Sequence, residues 1–260
     1  MVEPELVKEP LCQIDGRPAL VAHIARRIAC WFCHNEGAVT PQSVTPATGS
    51  MLKTETAVAV IRAAIVLGSH HIYITGGEPL LHPGARTILE SIPEHSSKDY
   101  SVALVSNATL LPRAIGWLEE CHIEKIKLSL HYLSDSSFAS IAATRMPVRA
   151  VTNAIRLAAE RLPKVEINTL VQPQNLHEIR DIMLFADEVG ADLQLLQLVE
   201  TEFNARSENR VDGDTIKSLL SAECGRPVDD SRVTGQTKLR YQYRGVSVVL
   251  IDSSSPAVPS

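Results

Sequence analysis

The chain has 260 residues, 45% of them hydrophobic, which is enough to bury a substantial core as one domain. A net charge of -5 and a pI near 6.0 provide no basic field for nucleic acid. No apolar run reaches the roughly 18 residues that span a membrane, Met1 to Pro10 lacks the apolar core of a signal peptide, and five cysteines without an export signal point to a reducing, cytoplasmic setting.

Residues 1–18 read as a loose lead-in. Residues 20–25 form an apolar run of strand length that ends at Arg26-Arg27, and Cys30-Trp31-Phe32-Cys33-His34-Asn35-Glu36-Gly37 follows on a loop. Residues 40–50, with two prolines, a glycine and several hydroxyls, are a flexible connection. Ala57, Val58, Ile61, Ala64 and Ile65 then recur at helical spacing, with Thr54 as N-cap and Gly68 as C-terminal stop.

From there strands alternate with helices. Strands are expected at 72–75, 102–106, 126–130, 165–171 and 193–199, and helices at 84–92, 112–120, 148–162 and 176–189. Such alternation implies parallel strands joined by right-handed crossovers. With residues 20–25 the strands number six, which suits an open (β/α)6 barrel, but a doubly wound sheet gives a similar pattern and periodicity alone does not choose. After residue 199 the rhythm changes. A short helix at 214–222, a loop at 226–236 and a hairpin of 238–243 with 246–251 around Arg244-Gly245 precede a Ser- and Pro-rich end expected to fray. The expected division is a lead-in over 1–18, a core over 19–200, and a C-terminal helix and hairpin over 201–260.

Two stretches carry chemistry. Cys30-x-x-Cys33 alone suits zinc, redox or haem attachment. Cys30-x-x-Cys33-His34 fits the haem pattern, but that attachment needs export, and a zinc site with His34 would be unusually crowded. Thr75-Gly76-Gly77-Glu78-Pro79-Leu80-Leu81 is a glycine turn at a strand end, where paired glycines let backbone approach a ligand closely and carbonyls are left free.

Together, about forty residues apart in a β/α alternation, these stretches resemble the radical S-adenosylmethionine (SAM) superfamily. The Cys-His-Asn-Glu-Gly ending is most similar to archaeal-type members of the MoaA family, the GTP 3',8-cyclases of molybdopterin synthesis. The resemblance covers about residues 18 to 200 and implies a partial (β/α)6 TIM-type barrel with a small C-terminal hairpin appendage. It also implies SAM and a [4Fe-4S] cluster as cofactors, a small-molecule substrate, and an electron donor where catalysis occurs.

Residue by residue, the resemblance makes Cys30 and Cys33 thiolate ligands of the cluster and sets Phe32 near the adenine. It brings the backbone of Gly76, Gly77 and Glu78 to the methionine ammonium of SAM. Ser129 and Asn168 match further SAM-binding positions, and Ser106-Asn107 matches a pair that faces the substrate cavity. His131 replaces an aspartate there, Tyr73 an arginine and Glu166 a lysine. Losing those cations and adding a carboxylate is expected to repel a triphosphate, so GTP is not the expected substrate.

The family spaces its cysteines C-x3-C-x2-C, and Arg26 takes the place of the first. A guanidinium stays protonated and cannot ligate iron. Cys12, Cys121 or Cys224 could complete the trio, or a cluster could bind poorly on two thiols with His23 or His34 helping. Otherwise the reductive chemistry is lost. The second cysteine trio of MoaA is missing, since Cys224 is the only cysteine in the last hundred residues. Two functions stay open: reductive cleavage of SAM to a 5'-deoxyadenosyl radical that acts on a small polar substrate, or a cluster-free homologue that binds SAM, another small ligand or a partner protein.

Overall fold

The computed structural model describes residues 12–14, 17–25, 51–137, 147–198, 210–233 and 236–253. Its frame is one ten-stranded sheet. The strands are β1 (Cys12–Ile14), β2 (Arg17–Ala25), β3 (His71–Gly76), β4 (Ser101–Ser106), β5 (Lys125–Ser129), β6 (Val165–Val171), β7 (Asp192–Gln197), β8 (Asp229–Val233), β9 (Gln236–Tyr243) and β10 (Val246–Asp252).

β2 through β7 lie side by side in chain order, every neighbouring pair parallel. A doubly wound sheet reverses its strand order at a switch point, and no reversal occurs here. The unbroken order is that of a barrel wall, and β1 and β8 stand at opposite edges of the sheet without closing it. The chain is therefore an α/β partial barrel.

Alternation along the strands divides the two faces. Ile72, Ile74, Val102, Leu104, Ile126, Leu128, Ile167, Leu193 and Leu195 are buried against the helices. Those helices are α1 (Thr54–Val66), α2 (Ala85–Glu90), α3 (Leu111–Leu118), α4 (Val148–Arg161), α5 (Ile179–Val189) and α6 (Gly213–Cys224). Ala57, Ile61 and Ala64 form the buried stripe of α1, and truncating a core isoleucine such as Ile61 to alanine costs about 2–5 kcal/mol. The opposite, concave face takes the polar alternates: Tyr73, Thr75, Lys127, Ser129, Glu166, Asn168 and Gln194 are less buried or charged.

Several local expectations need correction. Lys53, not Thr54, is the N-cap of α1, with no side-chain cap, and Thr54 is the first helical residue. Thr54 is committed to packing: a Cβ on Gly84 would lie 2.1 Å from Thr54 Oγ1. Part of the lead-in is strand, since β1 pairs antiparallel with β2 through Cys12↔Ala19. The stretch read as a loop at 226–236 contains β8, whose Asp-Asp-Ser-Arg-Val carries no apolar period because it sits at an edge and is held by backbone pairing with β9. The hairpin is present, with Arg244 at φ 48 in its turn. It is built into the sheet, as β10 pairs parallel with β7 through Val248↔Leu193.

Candidate functional site

The C-terminal ends of the parallel strands form one rim, the end of such barrels where sites are built. β3 delivers the glycine turn to it. Gly76 sits at φ 138, a region that L side chains rarely adopt, so no other residue fits there without strain. Glu78 follows and precedes a short 3-10 turn, Pro79–Leu81.

The Glu78 side chain has no exposed surface. Its Oε1 accepts from Leu80 N at 3.1 Å and from Ser106 Oγ at 2.9 Å, while Oε2 accepts from Asn107 N at 2.8 Å and from Ser106 Oγ at 3.1 Å. Burial pushes the carboxyl above its ordinary range, and the bonds from Asn107, Leu80 and Ser106 pull it only partly back. The carboxylate thus bolts the glycine turn to the end of β4.

Ser106 is 2% exposed and belongs to the helix-facing alternates Val102 and Leu104, so its hydroxyl serves Glu78 rather than the concave face. Asn107 stands one residue further on. Its Oδ1 accepts from Thr109 N at 2.9 Å, and its Nδ2 is buried without a hydrogen bond.

Ser129 and Asn168 are register partners across β5 and β6. Asn168 Oδ1 is buried and makes no hydrogen bond, an arrangement that costs about 1–3 kcal/mol unless a ligand or water supplies a donor. His131 lies just past β5. Leu170 N donates to its Nδ1 at 3.0 Å, which leaves the neutral ring's proton on Nε2. Burial drives its pKa down to about 4, so the ring is neutral at physiological pH.

Tyr73 and Glu166 are drawn together by a residue that sequence reading missed. Lys127 Nζ lies 2.5 Å from Glu166 Oε1 and 3.2 Å from Gln194 Oε1, and 5.3 Å from the centroid of the Tyr73 ring. Lys125 Nζ lies 3.2 Å from Glu166 Oε2. Glu166 is therefore not the isolated repelling carboxylate expected from sequence. Burial alone would raise its carboxyl, but Lys127 and Lys125 outweigh burial and hold it below its ordinary range. The signal was available in Lys125-Ile126-Lys127-Leu128-Ser129, a strand whose charged residues alternate onto the concave face.

Two further residues brace the rim. Asn175 Nδ2 donates to His131 O and Leu170 O, both at 2.7 Å, tying the ends of β5 and β6. Glu178 accepts from Leu133 N at 2.5 Å and from the hydroxyls of Ser134 and Ser137 at 2.8 and 2.7 Å. Burial opposes its ionisation, but these donors prevail and keep it below the usual carboxylate range.

Arg26, Cys30, Phe32 and Cys33 lie outside the described residues. Among the described residues, no group of three His, Cys, Asp or Glu could hold a metal ion. Cys121 and Cys224 are poor candidates for a third ligand. Cys121 precedes the start of β5 and Cys224 the start of β8, which puts both at the end of the sheet away from Gly76. Burial also pushes both thiols up to about 11. No helix among the described residues is long and apolar enough to cross a membrane.

Comparison with known proteins agrees with this geometry. Residues 27–186 match the Radical SAM superfamily. The chain is 23% identical over 226 residues to a probable GTP 3',8-cyclase of Methanococcus vannielii, covering 86% of this chain and 71% of that one. It is 28% identical over 250 residues to the probable GTP 3',8-cyclase of Methanocaldococcus jannaschii, covering 84% and 78%. Among solved structures, Streptococcus suis SuiB bound to S-adenosylmethionine superposes with a TM-score of 0.61 at 16% identity, over 78% of this chain and 48% of SuiB. The structure of anSMEcpe with bound AdoMet and Kp18Cys peptide gives 0.57 at 15% identity, over 78% and 58%. The chain thus spans about half the length of SuiB. With a match over more than half its length, a barrel wall in unbroken strand order and a glycine turn on its rim, this chain belongs to the radical SAM superfamily and has MoaA-like relatives.

Proposed function

We propose that the chain binds S-adenosylmethionine on the rim, against Gly76, Gly77 and Glu78, with Ser129 and Asn168 beside the ribose and Phe32 beside the adenine. The observation that carries this reading is the pairing of Ser129 with Asn168 at the strand ends, where Asn168 Oδ1 is buried without a donor. A ribose hydroxyl supplies such a donor. The φ of 138 at Gly76 fits the same reading, because it keeps the backbone bare of side chains where a ligand would lie against it. Glu78 holds that turn from behind. Asn107, His131, Tyr73 and Glu166 line the space for a small polar substrate, with Ser106 in support through Glu78. The neutral imidazole of His131 serves there as an N–H donor or a spacer, not as a cation.

A [4Fe-4S] cluster with an electron donor would supply reductive cleavage of SAM to a 5'-deoxyadenosyl radical. Cys30 and Cys33 are the two residues that would hold it. Titration of the anaerobically prepared protein with SAM by calorimetry tests the binding step. Saturable binding that Gly77→Val abolishes is expected, and undiminished affinity in that variant would remove the placement.

The second reading, a cluster-free homologue that binds SAM or a partner without radical chemistry, is favoured by Arg26 at the first cluster position. Iron content after anaerobic reconstitution separates the two. Under both readings the expectation is that GTP is excluded as substrate, because a triphosphate needs several cations and, among the described residues, the Lys125–Lys127–Glu166 group offers a single excess charge. Micromolar GTP affinity would overturn that exclusion.

A further inference from the structure

Two residues below Ser129 and Asn168 the concave face carries a charged row. In β5, Ile126 and Leu128 turn to the helices while Lys125, Lys127 and Ser129 take the other face. Lys127 and Glu166 are register partners, and so are Glu166 and Asp192. Lys127 shares the Glu166 carboxylate with Lys125, at 2.5 and 3.2 Å. Asp192 does not relieve the excess, since Lys164 Nζ lies 3.3 Å from its Oδ2. Among the described residues of this row, three ammoniums face two carboxylates, an excess of one positive charge. The Lys127 side chain is 9% exposed and shares the 12%-exposed Glu166 carboxylate with Lys125, so a second anion beside Lys127 would relieve a largely buried imbalance.

The surroundings hold this ammonium in place. Gln194 Oε1 accepts from it at 3.2 Å, and the Tyr73 ring lies 5.3 Å away. The row sits about 7 Å below the Ser129–Asn168 level, the rise of two strand residues and the length of a small metabolite. We infer that Lys127 is a substrate-binding residue that receives the carboxylate of a small substrate, and that this row selects mono- and dicarboxylates over polyphosphates. The inference rests on the SAM-binding reading and names the substrate class for that site. Glu166 acts in it as the internal competitor for the substrate carboxylate.

The competing account is an ion pair that merely fills the barrel floor, and the two differ in what Lys127→Met does to carboxylate binding by the otherwise unaltered protein. Butyrate and glutarate serve as probes of the SAM-loaded protein, followed by saturation-transfer difference NMR, and inorganic triphosphate is followed by its displacement of the glutarate signal. Lys127→Met is expected to weaken butyrate and glutarate about tenfold or more, and Glu166→Gln, which removes the competitor, to tighten them about three- to tenfold. Lys127→Arg keeps the charge and should retain binding, which provides a readout if the methionine variant fails to fold. A floor-filling pair would leave carboxylate affinity unchanged by Lys127→Met. Carboxylate affinity untouched by Lys127→Met, or triphosphate bound more tightly than glutarate through Lys127, would overturn the inference. Calorimetry with SAM on the same samples separates the two layers. SAM binding without Lys127-dependent carboxylate binding removes this inference alone, whereas no SAM binding removes both.

Discussion

Glu78 Oε1 lies 2.9 Å from Ser106 Oγ, and through that contact a carboxylate with no exposed surface joins the ends of β3 and β4. The motif residue that looks most chemical in sequence is thus the support of the turn, and the proposed ligand contact falls to the two glycines before it.

Glu78→Gln should therefore harm stability before it harms chemistry. The amide replaces an acceptor with an NH2 group that faces the donors Asn107 N and Ser106 Oγ, at a cost of about 1–3 kcal/mol at pH 7 in urea unfolding. The pH dependence has a definite sign. The folded carboxyl titrates above 4.5, so the folded state binds more protons than the unfolded one just above that pH. The contribution of Glu78 is full below 4.5 and is lost as pH rises through the folded pKa. The glutamine variant should lose that falling limb, and an unchanged profile would show that Glu78 does not titrate there.

His131 predicts the opposite slope. Its pKa falls to about 4 from 6.5, so the unfolded chain binds the proton that the folded chain refuses. Its contribution is intact above 6.5 and declines toward 4, by up to about 3 kcal/mol. Denaturation midpoints at pH 7.5, 6 and 5 should fall in the wild type and fall less in His131→Asn.

Gly84→Ala tests a contact invisible to periodicity. The added Cβ would lie 2.1 Å from Thr54 Oγ1 and 2.9 Å from Thr54 Cβ. A loss of about 1–3 kcal/mol is expected from overpacking. Thr54→Ala should recover only part of it, since Cβ remains in the way. Circular dichroism melts of the single and double variants decide.

The strand and helix order was legible because each strand hides alternate apolar residues against helices, and Ile72, Val102, Ile126 and Leu193 mark them. Strand order was not legible from periodicity, which does not record which neighbour a strand chooses, and it was the family resemblance that implied the barrel order. β8 was missed for a related reason: Asp229 and Asp230 lie at an edge that buries nothing, so backbone pairing left no trace in the residue types. At the site, Gly76 announced itself through a backbone need. The role of Lys127 did not, because it depends on Glu166 from a strand about forty residues away and on their shared register.

Arg26 carries the last prediction. Arg26→Cys would restore C-x3-C-x2-C with Cys30 and Cys33 without moving either thiol. Three thiolates leave one iron open, which two do not achieve reliably. Cys121 and Cys224 stand at the far end of the sheet with thiols pushed to about 11, so neither substitutes for the missing ligand. The wild type should hold little iron after anaerobic reconstitution and the variant clearly more, read from thiolate-to-iron absorbance and iron assay. A dithionite-dependent yield of 5'-deoxyadenosine should then appear in the variant. Cys12 is the rival ligand, on β1 at the sheet edge beside β2. If it completes the trio, the wild type already holds a cluster and Cys12→Ala removes it. Full iron in the wild type that survives Cys12→Ala would defeat both accounts and require a ligand from another part of the chain.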